Sequence, residues 1–105
     1  MSITIEVNEQ ANGKTVALSG GQVLVVRLPE NPTTGYRWVA ESNDAMKLEA
    51  DEYFPNNTGI GAGGTRQLRW SALAPGQSQI ILKQKRSWET TGTAIGHFSL
   101  VVISK

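Results

Sequence analysis

Hydrophobic and polar positions alternate with a period of two along most of the chain, which is typical of strands that bury one face. Near the N-terminus, Ile3, Ile5 and Val7 alternate with Thr4 and Glu6. The same alternation recurs in later segments, which are separated by glycine, proline and asparagine residues that favour turns. We therefore predict further strands over residues 15–19, 22–28, 37–41, 47–54, 65–73, 78–85 and 96–104.

A helix is conceivable only over residues 40–50, and Ser42, Asn43 and Asp44 in its middle favour a turn instead. Seven or eight short strands with turn signals about every ten residues are typical of an antiparallel sandwich or barrel. We predict a single all-β domain over residues 1–105, an immunoglobulin-like antiparallel β-sandwich of seven or eight strands. The chain has no cysteines, so the prediction does not rest on the cysteine pair of antibody domains.

Three long connections lie between the predicted strands, over residues 29–36, 55–65 and 86–95. In an antiparallel sandwich each strand carries the chain to the opposite end, so connections separated by two strands share an end. Two predicted strands separate the first connection from the second, and two more separate the second from the third. We therefore expect all three loops at one end, where such folds often place recognition.

The charge composition argues against several classes of partner. Ten Lys and Arg residues stand against nine Asp and Glu residues, and the longest basic cluster is Lys83, Lys85 and Arg86. Nucleic-acid binders carry a longer basic stripe, and a membrane span needs roughly 18–20 consecutive apolar residues. We predict no nucleic-acid partner and no membrane segment.

The first residues lack the basic and apolar regions of a signal peptide, so we expect a cytoplasmic chain, although a mature exported form would have the same sequence.

Groups suited to catalysis are few. The absence of cysteine removes thiol nucleophiles and thiolate metal sites. His97 is the single histidine and lies in a predicted strand beside Phe98, where we expect a structural role. Glu49 and Asp51 share one face of a predicted strand, where we expect solvated carboxylates rather than an acid–base pair. We predict no catalytic residue, no metal and no cofactor.

Residues 59–64 (GIGAGG) match the G-x-G-x-x-G pattern of dinucleotide-binding loops. That pattern binds a pyrophosphate only where the N-terminus of a helix follows it. A strand is predicted over residues 65–73 instead, so we do not interpret this segment as a nucleotide site.

Each of the three connections contains a short motif. In chain order these are Asn31-Pro32-Thr33-Thr34-Gly35-Tyr36, Gly61-Ala62-Gly63-Gly64 and Arg86-Ser87-Trp88. Together they resemble the chagasin family of cysteine-protease inhibitors, whose signatures are an Asn-Pro-Thr-Thr-Gly-aromatic loop, a Gly-x-Gly-Gly loop and an Arg-Pro-Trp loop. Ser87 departs from the family proline, which leaves the third loop less restricted before binding.

The resemblance implies a reversible, non-covalent and monomeric inhibitor of papain-like cysteine endopeptidases of the papain or cathepsin L type. Thr33 would lie against the catalytic cysteine and histidine of the enzyme, and residues 61–64 would pair with its unprimed substrate-binding strand. Trp88 would pack on an aromatic surface on the primed side, and Arg86 would offer an ionic contact. The implied protease-binding residues are Asn31, Pro32, Thr33, Thr34, Gly35, Tyr36, Gly61, Ala62, Gly63, Gly64, Arg86 and Trp88.

The chemistry of these residues is consistent with such roles. Pro32 restricts the backbone of the first loop, and Gly35 permits a positive φ, so that loop is preorganised. Glycines allow close backbone pairing with a peptide strand, and a tryptophan on a loop is a frequent interface hot spot. Trp38 and Trp70 lie in alternating strands, where we predict core positions.

Other interpretations remain open at the level of sequence. Each motif taken alone is explained by a tight turn or a hairpin connection. An immunoglobulin-like adhesion or ligand-binding module would use the same loops for a different partner, and an uncharacterised enzyme is a third hypothesis.

Overall fold

The computed structural model describes residues 4–31, 35–41, 43–55, 63–86 and 94–105. Within these ranges the chain forms eight strands and one turn of 3-10 helix, at Glu9–Ala11. The strands are β1 (Thr4–Val7), β2 (Lys14–Leu18), β3 (Val23–Glu30), β4 (Tyr36–Ala40), β5 (Met46–Pro55), β6 (Gly64–Ala72), β7 (Gly76–Arg86) and β8 (Gly96–Ser104). The all-β prediction is confirmed, as is its strand count.

Two four-stranded sheets form the sandwich, with the orders β1-β3-β6-β5 and β2-β8-β7-β4. The prediction of an immunoglobulin-like sandwich is confirmed, and most neighbouring strands are antiparallel. Two edge strands are exceptions, because β1 pairs with β3 and β2 pairs with β8 in parallel. Alternation specifies which face of a strand is buried, but it carries no information on the direction of its neighbour.

The core lies between the sheets and is formed by the inward residues of both. Trp38 and Trp70 are 8% and 2% exposed, which confirms their predicted core positions. The other members of the core cluster are Leu18, Leu24, Val26, Leu28, Met46, Leu68, Ile80, Leu82, Phe98, Leu100 and Val102. The N-terminal strand also contributes, since Ile5 and Val7 pack against this cluster.

The segment between β4 and β5 is a turn rather than a helix, as predicted. The Asn43 side-chain oxygen accepts hydrogen bonds from the backbone N–H groups of Ala45 and Met46, at 2.9 and 3.1 Å. Its side-chain amide donates to the carbonyl of Gln79 at 2.9 Å. These bonds pair the backbone N–H groups at the start of β5 and join the turn to β7. No helix among the described residues is long and apolar enough to cross a membrane.

A β-bulge in β5 overturns the expectation that Glu49 and Asp51 share a face. The pairing register with β6 shifts between Leu48 and Ala50. The Glu49 carboxylate therefore accepts a hydrogen bond from the Ser71 hydroxyl at 2.6 Å, on the outer face of the sheet. The Asp51 carboxylate instead pairs with the guanidinium of Arg66, on the inward side. An inserted residue reverses the alternation of a strand, which a strict period of two does not anticipate.

Candidate functional site

The ends of six strands meet at one end of the sandwich. In one sheet, Glu30 at the end of β3 and Pro55 at the end of β5 both pair with Gly64 at the start of β6. In the other sheet, Tyr36 at the start of β4 pairs with Arg86 at the end of β7. The beginning of β8 lies beside them, because Gly96 pairs with Gln84. All three connections therefore leave and re-enter the sandwich at this end, which confirms their predicted clustering.

Trp38 joins the two sheets directly below the first connection. Its indole N–H donates a hydrogen bond to the carbonyl of Pro29 at 2.9 Å. Its backbone N–H donates to the carboxylate of Glu30, also at 2.9 Å. The end of β3 is thus bonded to β4 in the facing sheet, and both ends of the first loop are fixed.

Two glycines of the first two motifs adopt the positive φ that L-residues disfavour. Gly35 has φ +81° just before β4, as its motif predicted, and Gly63 has φ +74° just before β6. The absence of a side chain also brings the two loops together: a Cβ on Gly63 would lie 3.2 Å from the Glu30 carbonyl oxygen and 3.4 Å from the Asn31 Cβ. The first and second loops therefore touch at their bases.

Gly64 is buried where β5 and β6 meet. A Cβ at this position would contact the Phe54 carbonyl oxygen, and it would lie 2.6 Å from the Tyr53 hydroxyl and 2.8 Å from the Pro55 Cα. No ordinary side chain fits between these atoms, so this glycine is required by the close packing of β5 against β6.

The third loop is joined to the first by an aromatic contact. The Arg86 guanidinium carbon lies 4.5 Å from the centre of the Tyr36 ring, within the range of a cation–π interaction. On the returning side, the Ile95 N–H donates a hydrogen bond to the Gln84 carbonyl at 2.8 Å. Arg86 thus links two of the motifs, while its proposed ionic contact with an enzyme stays a prediction.

A network of three charged side chains lies beneath the first two loops, and sequence reasoning missed it. Glu30 and Arg66 are only 4% and 9% exposed. Arg66 donates from Nη2 to Glu30 Oε1 at 2.6 Å, from Nε to Glu30 Oε2 at 3.0 Å and from Nη1 to Asp51 Oδ1 at 3.1 Å. We call these three residues the Glu30–Arg66 network. It connects β3, β5 and β6, and the bond from Trp38 extends it to β4.

The electrostatics of this network favour the charged form of its arginine. The hydrogen bond to Glu30 is the main cause of a raised Arg66 pKa, and burial opposes it by penalising the cation.

A signal for the network was present in the sequence. Glu30 continues the inward alternation of Val26 and Leu28 in β3, and Arg66 precedes Leu68 on the inward side of β6. A charged residue on the apolar face of a strand needs a partner, because an unpaired charge is costly to bury. The alternation therefore marked both positions as unusual, without showing that they pair with each other.

The structure describes half of the predicted site residues. Asn31, Gly35, Tyr36, Gly63, Gly64 and Arg86 lie together at the loop end. Pro32, Thr33, Thr34, Gly61, Ala62 and Trp88 lie outside the described residues, so their protease contacts stay predictions.

The remaining chemical candidates do not join this site. Gly64 begins a strand rather than a helix, so the G-x-G-x-x-G match lacks the helix N-terminus that a pyrophosphate requires. His97 is exposed on β8, and its backbone carbonyl accepts a hydrogen bond from Asn12. Across the residues that the structure describes, no group of three or more His, Asp or Glu side chains could hold a metal ion.

Comparison with known proteins identifies the family. Residues 17–102 match the model of the chagasin family peptidase inhibitors, I42. The chain belongs to this family. This is a family of peptidase inhibitors and not of enzymes, which confirms the prediction made from the three motifs.

Individual relatives agree with this assignment. Chagasin from Trypanosoma cruzi is 32% identical over 90 residues, covering 79% of this chain and 82% of its own. Amoebiasin-1 from Entamoeba histolytica is 30% identical over 89 residues, covering 80% and 84%. The crystal structure of a cysteine protease inhibitor from Entamoeba histolytica superposes with a TM-score of 0.86 and 22% identity, covering 99% of this chain and 97% of that one. This last similarity establishes the shared fold.

Proposed function

We propose that this chagasin-family protein is a reversible, non-covalent inhibitor of papain-like cysteine endopeptidases, which it blocks as a monomer by filling the active-site cleft with its three loops. The observation that carries the proposal is that the described ends of all three loops converge at one end of the sandwich. A single enzyme cleft can therefore meet them at the same time.

The chemistry of the loops supports this mode of binding. The first loop leaves β3 and enters β4 at fixed positions, and Gly35 turns the backbone with φ +81°. A loop that is ordered before binding loses less conformational entropy in the complex. Thr33 is small enough to approach a narrow catalytic centre, and its hydroxyl can bond to the catalytic cysteine and histidine. Inhibition requires only that the loop occupies the cleft, without any covalent step.

The other two loops extend the contact on either side. The glycines at 61–64 permit backbone pairing with the substrate-binding strand of the enzyme. Trp88 supplies the large apolar surface that often dominates an interface. Three loops of this size fit a standard interface of about 800 Å² on each partner. No comparison supports the alternative of an adhesion module.

The test is a titration of papain and of a cathepsin L-type enzyme, followed with a fluorogenic peptide substrate. We expect stoichiometric and reversible loss of activity, with Trp88→Ala raising the inhibition constant roughly thirtyfold or more, because a hot-spot tryptophan contributes about 2 kcal/mol or more. Thr33→Ala should weaken inhibition as well.

Two controls complete the experiment. Leu73→Ala removes a side chain that is 59% exposed at the opposite end of the sandwich, and it should inhibit like the unchanged protein. Trypsin, a serine protease, should retain its full activity. The proposal fails if micromolar protein leaves several papain-like enzymes fully active.

A further inference from the structure

The Glu30–Arg66 network occupies the junction of the first and second loops. Glu30 is the last residue of β3, so the first loop begins immediately after it. Arg66 follows the second loop by two residues, since β6 begins at Gly64. The two side chains form a bidentate pair across neighbouring strands, diagonal to the register that pairs Leu28 with Arg66 and Glu30 with Gly64.

Folding stability alone gives little reason for charges at these positions. Burying an ion pair costs desolvation of both groups, and apolar side chains of similar volume often stabilise a fold as well or better. Both positions continue inward apolar rows, next to Leu28 in β3 and Leu68 in β6. An apolar pair would therefore extend the existing core. A bidentate arginine–carboxylate pair differs from such a core in one respect, because it fixes distance and orientation.

We propose that the Glu30–Arg66 network positions the first and second loops relative to each other, so that both can enter one protease cleft. Glu30 receives bonds from Arg66 in its own sheet and from the Trp38 N–H in the facing sheet. The end of β3 is thereby held in two directions. Asp51 extends the same constraint to β5, which leads into the second loop. The expected effect on protease inhibition rests on the proposed function. The relative position of the two loops is a property of the free protein.

The third loop is held by a different set of contacts. Arg86 stacks on Tyr36, and the backbone ladder of β4 and β7 runs from Tyr36–Arg86 to Ala40–Leu82. The network should therefore couple to residues of the first loop and leave the contribution of the third loop unchanged. This difference separates a positioning role from a general loss of stability, which would affect all three loops equally.

The first experiment measures inhibition by Glu30→Gln and Asp51→Asn, each alone and combined with Thr33→Ala or Trp88→Ala. Glu30→Gln keeps an acceptor for the Trp38 N–H but loses the charge. The Asp51 side chain is 33% exposed, so Asp51→Asn should fold readily. All proteins are compared below their melting temperatures, with folding verified by circular dichroism. We expect Glu30→Gln to raise the inhibition constant about tenfold, the effect of losing order in one or two loop residues.

The double variants give the decisive result. Thr33→Ala should have a smaller effect in the Glu30→Gln background than in the unchanged protein, whereas Trp88→Ala should have the same effect in both. Leu18→Ala is the matched control, because it destabilises the core at the opposite end. It should lower the melting temperature without changing the inhibition constant. Equal effects of Thr33→Ala in both backgrounds would overturn the proposal.

A second experiment tests the same inference without any protease. Amide hydrogen exchange of the free Glu30→Gln protein should accelerate about tenfold at residue 31, at residues 33–36 and at residues 61–64, and stay unchanged at residues 87–93. Unchanged exchange in the first two loops would disprove the positioning role, whether or not the protein inhibits. Failure of the unchanged protein to inhibit, with the exchange result as expected, would instead reject the proposed function.

Discussion

At the scale of single residues, the loop end depends on two glycines that serve different purposes. Gly35 supplies a backbone conformation, with φ +81°. Gly64 supplies space, because its missing Cβ lets β5 and β6 close around it. The motifs in the sequence include both, but only the packing distinguishes their roles.

We expect Gly64→Ala to lower the free energy of unfolding by about 1–3 kcal/mol, since the new methyl group must displace backbone of β5. Gly20→Ala is the matched control, because a Cβ there meets nothing within 4 Å. Urea denaturation of both variants measures the difference. Equal midpoints for the two would show that β5 moves aside without cost.

At the scale of elements, a side-chain contact joins the ends of β4 and β7, where the third loop begins. The Arg86 guanidinium stacks on Tyr36 instead of projecting freely toward a partner. The loop motif of the sequence suggests only an ionic role for this arginine. In the structure it also joins the end of β7, where the loop that carries Trp88 begins, to Tyr36 at the start of β4.

Arg86→Gln should therefore weaken protease inhibition by roughly twofold to thirtyfold, which corresponds to the loss of a cation–π contact of about 0.5–2 kcal/mol. Arg69→Gln is its control, because Arg69 is exposed on the outer face of β6 and its replacement changes the net charge by the same amount. Inhibition is measured at low and high salt. A loss for Arg86→Gln that vanishes at high salt would indicate long-range charge attraction instead.

At the scale of the whole molecule, the Glu30–Arg66 network ties both sheets together at the loop end. Removing one partner of a buried ion pair leaves the other charge uncompensated. The exposed pair between Arg27 and Glu6 provides a contrast, with its nitrogen and oxygen 3.0 Å apart and both side chains about half exposed. Such surface pairs contribute little.

We expect Arg66→Met to lower the free energy of unfolding by about 3–5 kcal/mol, and Arg27→Met by less than about 1 kcal/mol. Folding raises the pKa of Arg66, so the contribution of its charge to the free energy of unfolding is complete below the ordinary arginine pKa. That contribution declines only as the pH rises through the pKa of Arg66 in the folded protein. The difference between Arg66→Met and the unchanged protein should therefore not diminish between about pH 7 and pH 10. Denaturation at several pH values checks this.

The same denaturation experiments address the prediction of one domain. Fluorescence of the buried Trp38 and Trp70 should change together with far-ultraviolet circular dichroism, in a single transition. Two separated transitions would contradict a single cooperative unit.

The fold class, the inward rows of the strands and the three loops with their motifs could all be predicted from the sequence. They follow from local causes: alternation selects the buried face, and glycine, proline and asparagine select the turns. Even the clustering of the loops followed from counting strands. The same alternation placed Trp38 and Trp70 in the core before any contact was known.

Features that depend on neighbours distant in the chain became visible only in the assembled sandwich. The parallel edge strands, the bulge that separates Glu49 from Asp51 and the stacking of Arg86 on Tyr36 are of this kind. The Glu30–Arg66 pair joins residues 36 positions apart. A charged residue on an apolar face signals that a partner is needed, but pairing across strands decides which partner it finds, because direction and register are properties of the assembled sheet.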